Sequence, residues 1–95
     1  MMELAGATLR VKQSIRMDTA RDLAEQGSAL LAANAGVQIV DLAEVPEADS
    51  SALTVLFAWL REGAARGHSF KIAHAPQSLL SLAGLYGVTE LLPLA

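Results

Sequence analysis

Val37 to Leu42 (VQIVDL) is a β-branched run of strand length, flanked on both sides by segments of helical period. This alternation constrains the fold more than any other feature of the chain. Upstream, Ala20, Leu23, Ala24, Gly27, Leu30 and Leu31 repeat at helical spacing. They follow Asp18-Thr19, two good N-cap residues, and Asp22 adds a carboxylate to the first turn, where the helix dipole favours it. Asn34 and Gly36 supply the stop. Gly27 is either an interior weakness or a place where another backbone comes close.

Downstream, Pro46 breaks the connection and Asp49-Ser50-Ser51 opens a second helix. Its predicted core stripe is Leu53, Leu56, Phe57, Leu60 and Ala64, and Gly67 ends it. Ser69 to Ala73 alternates as a further strand. Pro76 leads a third helix with Leu79, Leu82, Ala83 and Tyr86 on one face, Gly87 ends it, and Val88 to Leu92 forms a short turn. At the N-terminus, Ala7 to Val11 and Ser14 to Met17 form two short strands around a Lys12-Gln13 turn. The order β-β-α-β-α-β-α predicts an α/β fold, with one domain over residues 1–95. The expected sheet is open and mixed, of about four strands, with right-handed crossovers and helices packed on it.

Charge and composition narrow the function. The net charge is −3 and no basic run exists, which argues against a nucleic-acid partner. With no cysteine, disulfides, thiolate metal sites and a thiol nucleophile are excluded. No apolar stretch nears the ~20 residues that span a bilayer, so no direct membrane insertion is expected. The N-terminus (Met1, Met2, Glu3, Leu4) lacks a basic segment followed by an apolar run, so the expected compartment is the cytoplasm. There is no nucleophile–base pair, phosphate-binding Gly-rich loop or dinucleotide fingerprint. The chain is therefore expected to be neither an enzyme nor a carrier of a cofactor or metal. His68 and His74 are expected on the surface or in loops, with no metal-ligand spacing to carboxylates.

The informative constellation is Asp41-Leu42 at a strand's carboxyl end, a short loop, then Asp49-Ser50-Ser51-Ala52-Leu53 at a helix start. Partners of open α/β sheets usually bind at that edge. Two readings of the serines coexist. Asp49 or Ser50 caps the helix, and unpaired N–H groups at the helix start accommodate a phosphoserine. Asp41 and Asp49 take conformational or capping roles, and as a divalent pair on one short loop they carry little weight. Projected at ~100° per residue, Ala52, Val55 and Trp59 fall away from the core stripe and form a candidate contact patch below the serines. The alternative is that another helix covers Trp59 inside the domain.

At these residues the sequence resembles the STAS domain family, which includes the anti-sigma-factor antagonists. The family pattern is a strand ending in Asp-Leu, a loop, then Asp-Ser-Ser-Gly-Leu opening a helix. Here it stands as Asp41-Leu42 and Asp49-Ser50-Ser51-Ala52-Leu53, with Ala52 in place of the usual glycine. Arg66-Gly67 and Leu82-Ala83-Gly84-Leu85-Tyr86-Gly87-Val88 continue the likeness. The ending Leu85 to Val88 looks most like the MlaB type, the STAS subunit of the Mla phospholipid-transport ABC system. The resemblance implies a non-catalytic accessory subunit that binds the ABC ATPase, with Ser50 and the first half of its helix in the contact. It places the chain at the inner membrane through that partner. The partner-binding residues are then Ser50, Ser51, Ala52, Val55 and Trp59. The alternative is an anti-sigma-factor antagonist that a partner serine kinase switches by phosphorylating Ser50, or else Ser51. An open sheet edge would also allow homodimerisation.

Overall fold

A computed structural model describes residues 1–95. The elements are β1 (Met2–Ala5), β2 (Thr8–Val11), α1 (Ala20–Ala33), β3 (Ile39–Asp41), α2 (Ser51–Ala65), β4 (Lys71–Ala73) and α3 (Gln77–Leu85), with a 3-10 turn at Thr89–Leu91. The element order is the one expected, and the sheet is open and mixed, in the order β1-β2-β3-β4. β1 and β2 are antiparallel, and β3 and β4 add in parallel. No helix is long and apolar enough to cross a membrane.

The N-terminal hairpin differs from expectation. It turns at Gly6-Ala7, not at Lys12-Gln13, and pairs Met2 with Val11 and Ala5 with Thr8. Gly6 has φ +61°. A two-residue turn that matches the right-handed twist of its strands takes glycine at this first position. Lys12-Gln13 offers no such residue. Ser14 to Met17 is consequently not a paired strand. Ile15 makes one parallel bridge to Ala48, and Arg16 to Thr19 turn into α1. The Thr19 hydroxyl accepts the Arg16 N–H (3.0 Å) and donates to the Ser14 carbonyl (3.0 Å), so this loop is tied to the helix that follows.

One face of the sheet is the core. Leu9, Val11, Val40 and Ile72 point into a cluster of 19 buried residues shared with all three helices. On the opposite face Thr8, Ile39 and Lys71 form one cross-strand row, and Arg10, Asp41 and Ala73 form another. None of these is buried. β3 is therefore central in the sheet but covered on one face only, which is why it takes Asp41 where a doubly covered strand would take an apolar residue. The C-terminal tail extends the sheet beyond β4. The Ile72 N–H donates to the Pro93 carbonyl (2.8 Å) and the Ala95 N–H to the Ile72 carbonyl (2.8 Å).

α1 buries Leu23, Gly27 and Leu31, the expected stripe. α2 is rotated relative to its expected stripe. Its buried residues are Ala52, Leu53, Val55, Leu56, Trp59 and Gly63, whereas Phe57 and Leu60 are half-buried and Ala64 is exposed. The cause is the packing of α2 on α1. Trp59 is fully buried and its Nε1–H donates to the Ala24 carbonyl (3.1 Å). Its indole lies over Gly27, where a Cβ would overlap Cε2, Cζ2 and Nε1. Gly27 is thus the point of close approach of a side chain, and the alternative in which another helix covers Trp59 is the one the structure adopts.

Gly27→Ala should test this fit. Alanine is the better helix former by about 0.8–1.0 kcal/mol, yet the variant should be less stable, by about 1–3 kcal/mol, because the indole has nowhere to move. Urea unfolding would measure it. In a Trp59→Leu background the same substitution should cost much less, since the clash is gone.

Candidate partner-docking site

The site lies where α2 begins. Asp41, the last residue of β3, accepts the Ala43 N–H at Oδ1 (2.9 Å), and the same oxygen lies 3.0 Å from His74 Nδ1. The chain leaves β4 through His74 at φ 56°. Burial pushes the Asp41 carboxyl up, but the Ala43 amide, His74 and Arg10 together outweigh it and hold the group below its ordinary value. Asp41 thus fastens the ends of β3 and β4 beside the loop that leads to α2.

Asp49 does the corresponding work at the helix start. Its Oδ1 accepts the Ser51 N–H (2.8 Å) and the Ser51 hydroxyl. Its Oδ2 accepts the N–H of Met17 (3.0 Å), 32 residues earlier. Backbone bonds from Ile15 N–H to the Glu47 carbonyl (2.9 Å) and from Asp49 N–H to the Ile15 carbonyl (3.1 Å) close the same junction. The Ser51 hydrogen bond, the largest influence, holds the Asp49 carboxyl below its ordinary value, aided by the Ser51 and Met17 amides and Arg16 against a desolvation that raises it.

Ser50 is the N-cap by position but makes no side-chain capping bond, and it is exposed. The cap is Asp49. This revises the expectation of free N–H groups waiting for a phosphate. The Ser51 amide is bonded to Asp49 Oδ1, the Ala52 amide to the Asp49 carbonyl (3.0 Å) and the Leu53 amide to the Ser50 carbonyl (3.2 Å). A negative group already occupies the positive end of the helix dipole. The Ser50 hydroxyl is left facing outward.

Below it runs a groove of about 490 Å³ lined by Met17, Ser50, Ser51, Leu53, Thr54, Phe57, Tyr86 and Val88. Leu53 is buried and Phe57 half-buried, while Met17 and Tyr86 stand at the rim, 83% and 56% exposed. None of the lining residues carries a formal charge. Of the residues expected in the contact, Ser50 and Ser51 lie on this groove. Ala52, Val55 and Trp59 do not: they are 0%, 1% and 0% exposed, in the core. The outward patch expected of them is replaced by Thr54 and Phe57 from the same helix, joined by Met17, Tyr86 and Val88. Tyr86, expected on the inner face of α3, sits past the helix end, where the helical period no longer sets its direction, and Met17 lies in the α1 approach loop, where no periodicity marks it. Thr54, by contrast, has a signal in its i+4 spacing from Ser50.

A family model described as the MlaB STAS domain matches residues 2–93. The chain belongs to the STAS domain family, MlaB type. A search of curated proteins gave no match. Among solved structures, the chain is similar to a crystal structure from Thermotoga maritima described as a candidate anti-sigma factor antagonist. The TM-score is 0.78 at 11% identity, and the match covers 99% of this chain and 83% of that one. At that identity the likeness is one of fold. STAS domains typically interact with protein partners.

Two stability outcomes follow from the capping geometry. Ser50→Ala should change stability by no more than about 0.5 kcal/mol, as for a surface substitution away from any cap. Asp49→Ala should cost about 0.5–2 kcal/mol. Because the Asp49 carboxyl is held low in the folded state, the unfolded chain binds more protons between the two pKa values. Its contribution is therefore present above the ordinary value of 3.8 and lost as pH falls through the folded value. Urea midpoints measured from pH 7 down to the acid limb should fall less steeply for Asp49→Asn than for the parent.

Proposed function

We propose that this chain is a non-catalytic accessory subunit that binds the ATPase of an Mla-type phospholipid-transport ABC transporter, through the groove headed by Ser50. The observation that carries the reading is the groove itself. It is an uncharged, apolar-floored surface beside an exposed hydroxyl that has no internal task. Membership in the MlaB-type family supports the choice of partner.

The physical case is one of desolvation. An interface gains most where apolar side chains leave water and few polar groups must be re-paired. Leu53 and Phe57 offer such a floor, and the hydroxyls of Ser50, Thr54 and Tyr86 can each donate or accept one hydrogen bond to the partner. The floor is rigid, because Leu53 and Phe57 belong to a helix fixed to α1 by Trp59. Met17 is held at the rim by Asp49. Little ordering of the floor is left to occur on binding, which favours affinity. In this reading the chain lies on the cytoplasmic side of the inner membrane through its partner.

A second reading is favoured by the outward Ser50 hydroxyl and by the fold shared with the Thermotoga maritima protein. In it the chain is an anti-sigma-factor antagonist, and a partner kinase phosphorylates Ser50. The phosphate brings a charge of about −2 into the groove. With Asp49 already at the helix start, that charge projects toward the partner and opposes docking.

Binding to the purified ATPase separates these readings. Phe57→Ala and Ser50→Glu should each weaken the complex about tenfold or more, in variants whose circular dichroism matches the parent. Unchanged affinity in both would remove the groove from the contact. Trp59→Ala should instead destabilise the fold by about 3–5 kcal/mol, as a core truncation. Phosphate on the native protein, abolished by Ser50→Ala, together with no binding to the ATPase, would establish the second reading.

A further inference from the structure

We propose that Met17 is an oxidation site whose conversion to the sulfoxide releases the chain from its partner. The proposal rests on the docking role of the groove and adds a mode of control to it.

Three observations converge on this residue. Met17 is the most exposed large apolar side chain of the molecule, at 83%. It lines the groove and is not a stray surface residue. Its backbone is pinned, since the Met17 N–H donates to Asp49 Oδ2 and the Ile15–Glu47 and Asp49–Ile15 bonds fix the adjoining segment. The residue is thus anchored at the rim of the groove that Ser50 also lines, with its thioether open to solvent. The other methionines differ. Met1 is 73% exposed but terminal, and Met2 is half-buried against the core. With no cysteine in the chain, Met17 is the oxidisable sulfur of the docking surface.

The chemistry is self-contained once the oxidant is named as hydrogen peroxide. A sulfur lone pair attacks one peroxide oxygen, and the O–O bond breaks as the S–O bond forms. The sulfur is oxidised by two electrons, the peroxide is reduced, and one water leaves. The product replaces an apolar side chain with a polar, chiral one. In solution this costs little, because the side chain is already hydrated. In the complex the sulfoxide oxygen would be buried against an uncharged, largely apolar groove, and its desolvation falls on the bound state alone. Oxidation therefore weakens docking without unfolding the domain. A bound partner covers the sulfur, so the undocked subunit is the form that reacts.

The experiment uses the full chain and the purified ATPase subunit. Peroxide-treated protein is mapped by peptide mass spectrometry, with Met1, of similar exposure, as the internal reference. Met17 should gain one oxygen, the melting temperature should stay unchanged, and affinity for the ATPase should fall about tenfold. Met17→Leu should retain binding after peroxide, Met17→Gln should bind weakly without it, and methionine sulfoxide reductase should restore binding of the treated parent. Saturating ATPase should slow oxidation of Met17 but not of Met1. Full oxidation of Met17 with unchanged affinity would overturn the proposal while leaving the docking surface standing. If Phe57→Ala and Ser50→Glu also bind as the parent does, the docking reading itself is wrong.

Discussion

The contact between Trp59 and Gly27 sets the orientation of everything that follows in this molecule. The indole is fully buried, its one donor is satisfied by the Ala24 carbonyl, and the missing Cβ of Gly27 makes room for the ring. A buried Trp brings a large apolar area out of water, about 150–250 Å², but only where its N–H finds an acceptor. α1 supplies both the space and the acceptor within one turn. Once Trp59 is seated, α2 cannot rotate about its axis. Ala52, Val55 and Leu56 must then face inward with it, and Ser50, Thr54 and Phe57 must border the groove.

The start of α2 is fixed by a second, polar constraint. Asp49 satisfies Ser51 on one side and Met17 on the other, so a single carboxylate caps the helix and ties it to the approach of α1. This division of labour leaves Ser50 without an internal role at the most exposed point of the turn. Packing holds the helix, Asp49 holds its end, and the hydroxyl that the family motif carries is left exposed with no internal hydrogen bond. The open sheet face stays polar and ion-paired, with Arg10 and Lys12 both near Glu3 at 3.6 and 3.5 Å. Such exposed pairs contribute little stability.

Much of this architecture was legible in the chain. The β-branched run around Val40, the helical spacing from Ala20 to Leu31, and Pro76 ahead of α3 specify element type and order through local physics: strand propensity, amphipathic period and fixed proline geometry. The mixed four-stranded sheet follows from that order. The Asp49-Ser50-Ser51 motif marked the start of α2. The strand at residues 7–11 was legible but its partner was not, because residues 14–17 also look strand-like, whereas the turn is decided by Gly6, which accommodates positive φ there.

The inward face of α2 was beyond the sequence for a definite reason. Residues 52–60 are apolar at nearly every position, so stripes through Leu53, Phe57 and Leu60 or through Ala52, Val55 and Trp59 satisfy helical periodicity about equally. Periodicity says that one face is buried, not which one, when both are apolar. The choice depends on a complementary gap in another helix, at Gly27, which is a tertiary fact. The groove is tertiary for the same reason. Met17, Phe57 and Tyr86 come from three separate segments and share no pattern along the chain. The sequence by itself determined the fold class, the family motif and the serine at the helix head. Only the tertiary structure decided which side chains surround that serine, because steric fit between helices, not local propensity, sets the rotation of α2.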